Sequence, residues 1–159
     1  METLKKDVEL KEVLSCYERE NRGSASFDYT GGLLAHVDRE IGGGWTLVLL
    51  SRADILNIML PDHRHPAENP SVLIPKPGMT VSAAAGRVRD ITQETGLCWE
   101  NIQSHKNRDF SQVHIFLQYQ DGGFMNLDGL HRLLAWVIFE KTEEMIPAYV
   151  IGLPQTAEI

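Results

Sequence analysis

The chain is poor in cysteine. Cys16 and Cys98 stand alone in 159 residues, with no CxxC and no Cys/His spacing around them. That pattern indicates neither a zinc knot nor a disulfide framework, and no metal site is read from it; two reduced, half-buried thiols of a cytoplasmic protein are expected. Long apolar runs are missing as well: none approaches the ~20 residues of a membrane span. The opening METLKKDVELKEVL lacks the apolar block of a signal peptide, so no membrane partner is expected. Positive charge is scarce, 15 Lys and Arg against 22 Asp and Glu, for a formal charge of −7. A general nucleic-acid surface works by neutralising phosphates, and this balance counts against one. Internal repeats and low-complexity segments are also absent. Proline is thinly spread except between Pro61 and Gly78, where five of the seven occur, and that stretch reads as a loop with VLI (72–74) as a short extended piece.

What is present is the material of one ordinary domain: 43% apolar and 23% charged residues, enough for a single core. Leu10, Val13, Leu14 and Tyr17 follow helical spacing and predict an amphipathic helix over 3–20, followed by the polar linker NRGSAS (21–26). The helix can pack on the core or form a homodimer contact, and its spacing favours neither. A second helix is expected at 32–41, ahead of the flexible turn Gly42–Gly44. WTLVLL (45–50) is a strand buried on both faces. Ala53–Leu60 predicts two helical turns. A helix from Thr80 to Thr95 has Thr80 as its cap and Gly96 as its stop. SHKNRD (104–109) reads as polar loop. VHIFLQY (113–119), DGG (121–123) and FMNL (124–127) make a hairpin, with a helix from Gly129 to Glu140 and a last strand at IPAYVIGL (146–153). The expected fold is α/β (α+β), a small mixed sheet with packed helices. An N-terminal helix and linker over 1–26 precede a single domain over 27–159.

One stretch carries chemistry, "NLDGLHRLLAW" (126–136). Asp128 sits where a helix N-cap is expected, and its carboxylate can accept from unpaired amides there. That accounts for Asp128 alone. Gly129 is a costly residue in a first turn, yet it lets an anion approach amides at the positive end of the helix. Arg132 offers a planar fork for phosphate oxygens, and His131 a donor or proton carrier. Local physics leaves an anion site and a plain capped helix evenly matched. Leu130, Leu133, Leu134, Val137 and Ile138 press the helix onto a sheet.

The run "FMNLDGLHRLLAWVIFEKTEEMIPAYVIGL" resembles the ParB/sulfiredoxin-like superfamily. Its hallmark is a strand entering an Asp-Gly-x-His-Arg turn, then a helix, then an IPAYV-like strand. The resemblance covers 124–152, extends weakly to WTLVLLSRADIL, and is not seen in residues 1–40. It implies a turn that binds the phosphates of ATP or ADP, with Mg²⁺, as in sulfiredoxins and free-serine kinases. Gly129 would then present its amide, His131 and Arg132 would contact phosphate oxygens, and Asp128 would sit near the transferred phosphoryl group. Sulfiredoxin's catalytic cysteine belongs between Gly and His, where this chain has Leu130, so sulfinic acid repair is not implied. The helix-turn-helix domain and the more basic turn of the DNA-binding partition proteins are also missing. The branch implied is metabolic: an ATP/ADP-dependent, phosphotransferase-like enzyme acting on a small polar metabolite. Two other readings stay open, a ParB-like DNA-associated regulator or nuclease, and a non-catalytic anion-binding module.

Weaker candidates surround the turn. His63 and His65 would face the same way if extended; without a third ligand they read as loop polarity that can line a substrate pocket. Arg52 follows the first buried strand and is expected at the same sheet end as Asp128. His114, alternating with Phe116, reads as a partly buried, hydrogen-bonded histidine. Asp121 is explained by its hairpin turn, and Arg87 and Arg89 by a solvated helix face.

Overall fold

The computed structural model describes residues 1–22, 27–61, 78–90 and 97–154. The linker glycine Gly23, most of the proline-rich stretch with VLI (72–74), and the helix stop at Gly96 lie outside the described residues. Within them the chain runs β1 (Glu2–Val8), α1 (Leu10–Asn21), α2 (Phe27–Ile41), β2 (Trp45–Leu50), α3 (Arg52–Leu56), α4 (Val81–Asp90), α5 (Leu97–Ser104), a 3-10 turn (Phe110–Gln112), β3 (Ile115–Gln120), β4 (Gly123–Asp128), α6 (Leu130–Ile138) and β5 (Ile146–Ile151). The class is mixed α/β. No helix among the described residues is long and apolar enough to cross a membrane.

The strands form one sheet in the order β1-β2-β5-β3-β4. β5 is antiparallel to β2 and parallel to β3, which makes the sheet mixed. Side chains alternate along each strand, so the sheet presents two apolar faces. Val48, Leu50, Ile115, Leu117, Ile146, Ala148 and Val150 meet Ile55, Val81, Ala84, Ile102 and the inner face of α6. Trp45, Phe116, Tyr149 and Ile151 meet Val13, Cys16 and Tyr17 of α1 and Leu34 and Val37 of α2. The result is three layers, with α1 and α2 on one side and α3 to α6 on the other. WTLVLL is covered on both faces, as its unbroken apolar run predicts: Trp45 and Val48 point oppositely and both are fully buried.

The N-terminus departs from the expected helix over 3–20. Glu2–Val8 is a strand on the sheet edge, antiparallel to β2, and helix begins only at Leu10. Residues 2–7 are all exposed, so ladder hydrogen bonds hold them rather than burial, and the apolar period belongs to α1 alone. α1 turns Val13, Cys16 and Tyr17 into the core, so residues 1–22 belong to the sheet and its covering layer. The turns over 53–60 shorten to α3, started by Ser51, which accepts from the Asp54 amide while Asp54 accepts from the Ser51 amide, a capping box. Thr80 Oγ1 accepts from the Ala83 amide at 3.1 Å, the expected cap of α4. The hairpin turn is Asp121-Gly122, both at positive φ, as a two-residue loop between twisted strands requires.

Candidate functional site

The junction of β4 and α6 is built by Gly129. Its φ is +106°, and a Cβ at that position would lie 2.5 Å from Ile115 Cδ1. Only glycine fits both the backbone and the contact with β3. Gly129 is itself the N-cap, with no side-chain cap hydrogen bond, and its carbonyl accepts the Leu133 amide at 3.0 Å. Asp128 is therefore not the cap that its position suggests. It is the last residue of β4, opposite Phe116 in the ladder, because the left-handed glycine inserts one residue between strand and helix.

This placement leaves Asp128 in an unusual state. Its Oδ2 is fully enclosed and has no hydrogen-bond partner among the described residues. Burial pushes its pKa up to about 6, against the downward pull of Arg132 and of the Gly129 amide, while Glu20 adds to the rise. A carboxyl in that range can take and return protons near neutral pH.

Arg132 does not offer its fork to a ligand as the sequence suggests. It is 4% exposed. Nη1 donates to the His114 carbonyl at 2.8 Å, and Nη2 donates to Asn21 Oδ1 at 2.9 Å and to the Glu20 carbonyl at 3.4 Å. Nη1 also lies 3.9 Å from Glu20 Oε1. From the first turn of α6 the side chain passes the entry of β3 and reaches the end of α1, tying the two helical layers together. His131, one residue earlier, is half-buried.

Around Arg132 lies a polar network that the sequence did not reveal. Glu20 Oε1 accepts the His114 amide at 2.7 Å. Glu20 Oε2 accepts from Cys16 Sγ at 2.8 Å and lies 3.0 Å from His114 Nδ1. Burial raises the Glu20 pKa, but the hydrogen bonds from His114 and Cys16 outweigh it, so the net direction is down. Burial and the neighbouring Glu20 push the Cys16 thiol up to about 12. The His114 ring stacks on Tyr149 at 5.3 Å, and Tyr149 Oη donates to Glu12. His114 is thus the hydrogen-bonded, half-buried histidine expected. On the opposite side, His105 Nδ1 accepts from Arg108 Nε at 3.2 Å; burial, Arg108 and Arg132 lower its pKa to about 4, which keeps the ring neutral. One signal for Glu20 was present in the sequence: it falls three residues after Tyr17 and seven after Val13, a carboxylate on the apolar stripe of α1.

The other candidates do not join this group. Arg52 is exposed at the start of α3. It lies at the same sheet end as Asp128, as expected, but β5 and β3 intervene, a lateral separation of about 14 Å at ordinary strand spacing. His63 and His65 lie outside the described residues.

Comparison with characterised proteins and with solved structures gives no match. A family model does match, over residues 1–159, and the chain belongs to that family, the family of unknown function DUF6309.

Proposed function

We propose that the protein is a cytoplasmic small-molecule enzyme whose proton-carrying group is Asp128. One observation carries this reading: Asp128 Oδ2 is enclosed at the strand-to-helix turn without a hydrogen-bond partner among the described residues. A buried carboxylate oxygen left in that state costs stability unless a ligand group supplies the missing bond. A substrate hydroxyl is such a group. With a pKa of about 6 the carboxylate is ionised at neutral pH and more basic than an ordinary aspartate, so it can accept the hydroxyl proton as the oxygen becomes a nucleophile.

The resemblance of 124–152 to ParB/sulfiredoxin-like turns points to phosphoryl transfer, with ATP or ADP and Mg²⁺ at the start of α6. The residues fit in part. Gly129 keeps side chains away from the first-turn amides, and Oδ2, enclosed in the structure, is an oxygen that a cation or a hydroxyl can take when the turn opens. Mg²⁺, when bound, would neutralise phosphate charge. Arg132 acts here as a positioning residue whose charge is felt at Asp128, while His131 and the amides meet the ligand. Glu20 is the second carboxylate, close enough to act on Asp128 electrostatically.

Thermal unfolding with ATP, ADP and AMP, each with and without Mg²⁺, tests the proposal. A nucleotide at ~100 times its Kd adds about 2.7 kcal/mol. Asp128→Asn should keep that shift and lose consumption of ATP in a pool of small hydroxylated metabolites, followed by phosphorus NMR. Absence of a shift with every nucleotide refutes the phosphoryl-transfer reading. Salt-sensitive duplex DNA binding in its place would favour the ParB-like DNA-associated alternative.

A further inference from the structure

We propose that Cys16, Glu20 and His114 form a binding site for a zinc-class divalent cation. The donors are one thiol, one carboxylate and one imidazole, and their ligand atoms all lie within 4.8 Å of one another. Two elements supply them. Cys16 and Glu20 are one turn apart on the buried face of α1, and His114 stands just before β3. The set is of mixed softness, the kind that suits zinc better than magnesium or calcium.

The atoms converge on one point. Cys16 Sγ and His114 Nδ1 both address Glu20 Oε2, at 2.8 and 3.0 Å. Tetrahedral zinc with ordinary bond lengths sets S···O at about 3.6 Å and N···O at about 3.4 Å. The Sγ···Oε2 gap must therefore open by about 0.8 Å and the Nδ1···Oε2 gap by about 0.4 Å, movements within reach of small side-chain rotations of Cys16 and His114. What surrounds the ligands already holds them. The His114 amide fixes Glu20 Oε1, Arg132 lies beside that oxygen, and Tyr149 stacks on the His114 ring. Such outer partners set ligand orientation in metal sites.

The charges also balance. The cation displaces the Cys16 thiol proton to solvent, and His114 binds through Nδ1 with its proton on Nε2. A doubly charged metal and Arg132 then face three anions, the Cys16 thiolate, Glu20 and Asp128, the last two of which already act on each other and on Arg132. Three protein ligands leave a fourth position for water, the arrangement of reactive rather than closed zinc sites. Access is from the side of His114, whose side chain is 20% exposed.

The probes are Zn(II) and Co(II), added to the full chain after chelator treatment. The expected result is one equivalent of Zn(II) retained through gel filtration. Co(II) should give tetrahedral visible bands and a near-ultraviolet thiolate-to-cobalt charge-transfer band. Cys16→Ala should lose the charge-transfer band and at least tenfold in affinity, while its circular dichroism stays that of the parent. Cys16→Ser, which keeps a small polar group on Glu20, serves as the second variant and should also lose the band. Absence of stoichiometric uptake overturns the proposal, as does uptake without a thiolate band or unchanged in Cys16→Ala. Nucleotide binding is read separately, so either proposal can fail without the other.

Discussion

Asp128→Asn should make the protein more stable, and only above mildly acidic pH. The folded state holds Asp128 with a pKa of about 6, against an ordinary value of 3.8. The unfolded chain therefore ionises first as pH rises. Below about pH 4 both states are protonated and the carboxyl costs nothing. Between about pH 4 and pH 6 the folded state loses stability, and above pH 6 the loss is complete. Two pKa units correspond to about 3 kcal/mol at most. Asparagine keeps the size of the side chain without the charge, so it should recover most of that amount at about pH 7.5 and about 1 kcal/mol at pH 4.5. Any fixed effect of the amide is common to both pH values. The informative quantity is the difference between them, about 2 kcal/mol in favour of asparagine at the higher pH. Urea unfolding followed by tryptophan fluorescence measures it, since Trp45 and Trp136 are both fully buried. In a domain of this size the gain corresponds to a rise in Tm of about 5–10 °C. A stability difference that does not change with pH would refute the desolvated carboxylate. A variant that loses stability as pH rises would refute it more strongly, because Asp128 would then have to be held ionised by a partner.

Three further outcomes follow from the same geometry. Glu20 has the opposite sign: its folded pKa is lowered, so its contribution is present above the unfolded value and lost as pH falls; Glu20→Gln should flatten the acid side of the stability profile, and a profile unchanged in slope would contradict the network. Arg132→Ala should cost about 3–5 kcal/mol in urea unfolding, since it removes the charged donor from the His114 and Glu20 carbonyls and from Asn21 Oδ1; Arg132→Lys should recover less than half, because one ammonium cannot span acceptors at the entry of β3 and the end of α1. Gly129→Ala should cost about 2 kcal/mol or more, from the left-handed backbone and the clash with Ile115 Cδ1; adding Ile115→Val, which removes that carbon, should return part of the loss, and strictly additive effects in the double-mutant cycle would show that the close approach does not matter.

How far the fold could be read from the sequence depended on how local its causes were. WTLVLL, the Asp121-Gly122 hairpin and the strand IPAYVI are found where their patterns place them, since period, turn chemistry and burial agree there. β1 was illegible because an exposed edge strand is held by backbone pairing, which leaves no apolar period. α5, Leu97–Ser104, is too short to carry a periodic signal; Ile102 is fully buried in the core and Trp99 packs against it, partly buried. The site is less legible still. Glu20 and His114 are 94 residues apart, and Arg132 and Asn21 are 111 apart. No local window contains both members of either pair. Five residues of the DGLHR turn were visible, but their roles were fixed by partners on α1 and β3.

Gly129 and Arg132 were the strongest arguments for an anion site, and packing now accounts for both: one lets β4 pass close to Ile115, the other closes the gap between the two helical layers. Asp128 was the residue with the ready structural explanation, and that explanation fails, because Gly129 is the cap. Asparagine would fill the same space and avoid the desolvation of a charge, so stability alone gives no reason for an aspartate at this position. A residue that opposes the stability of its own fold, inside a closely packed junction, marks the place where a second requirement acts. The pH-dependent gain of Asp128→Asn measures the size of that requirement, and loss of ligand-dependent chemistry in the same variant would identify its cause.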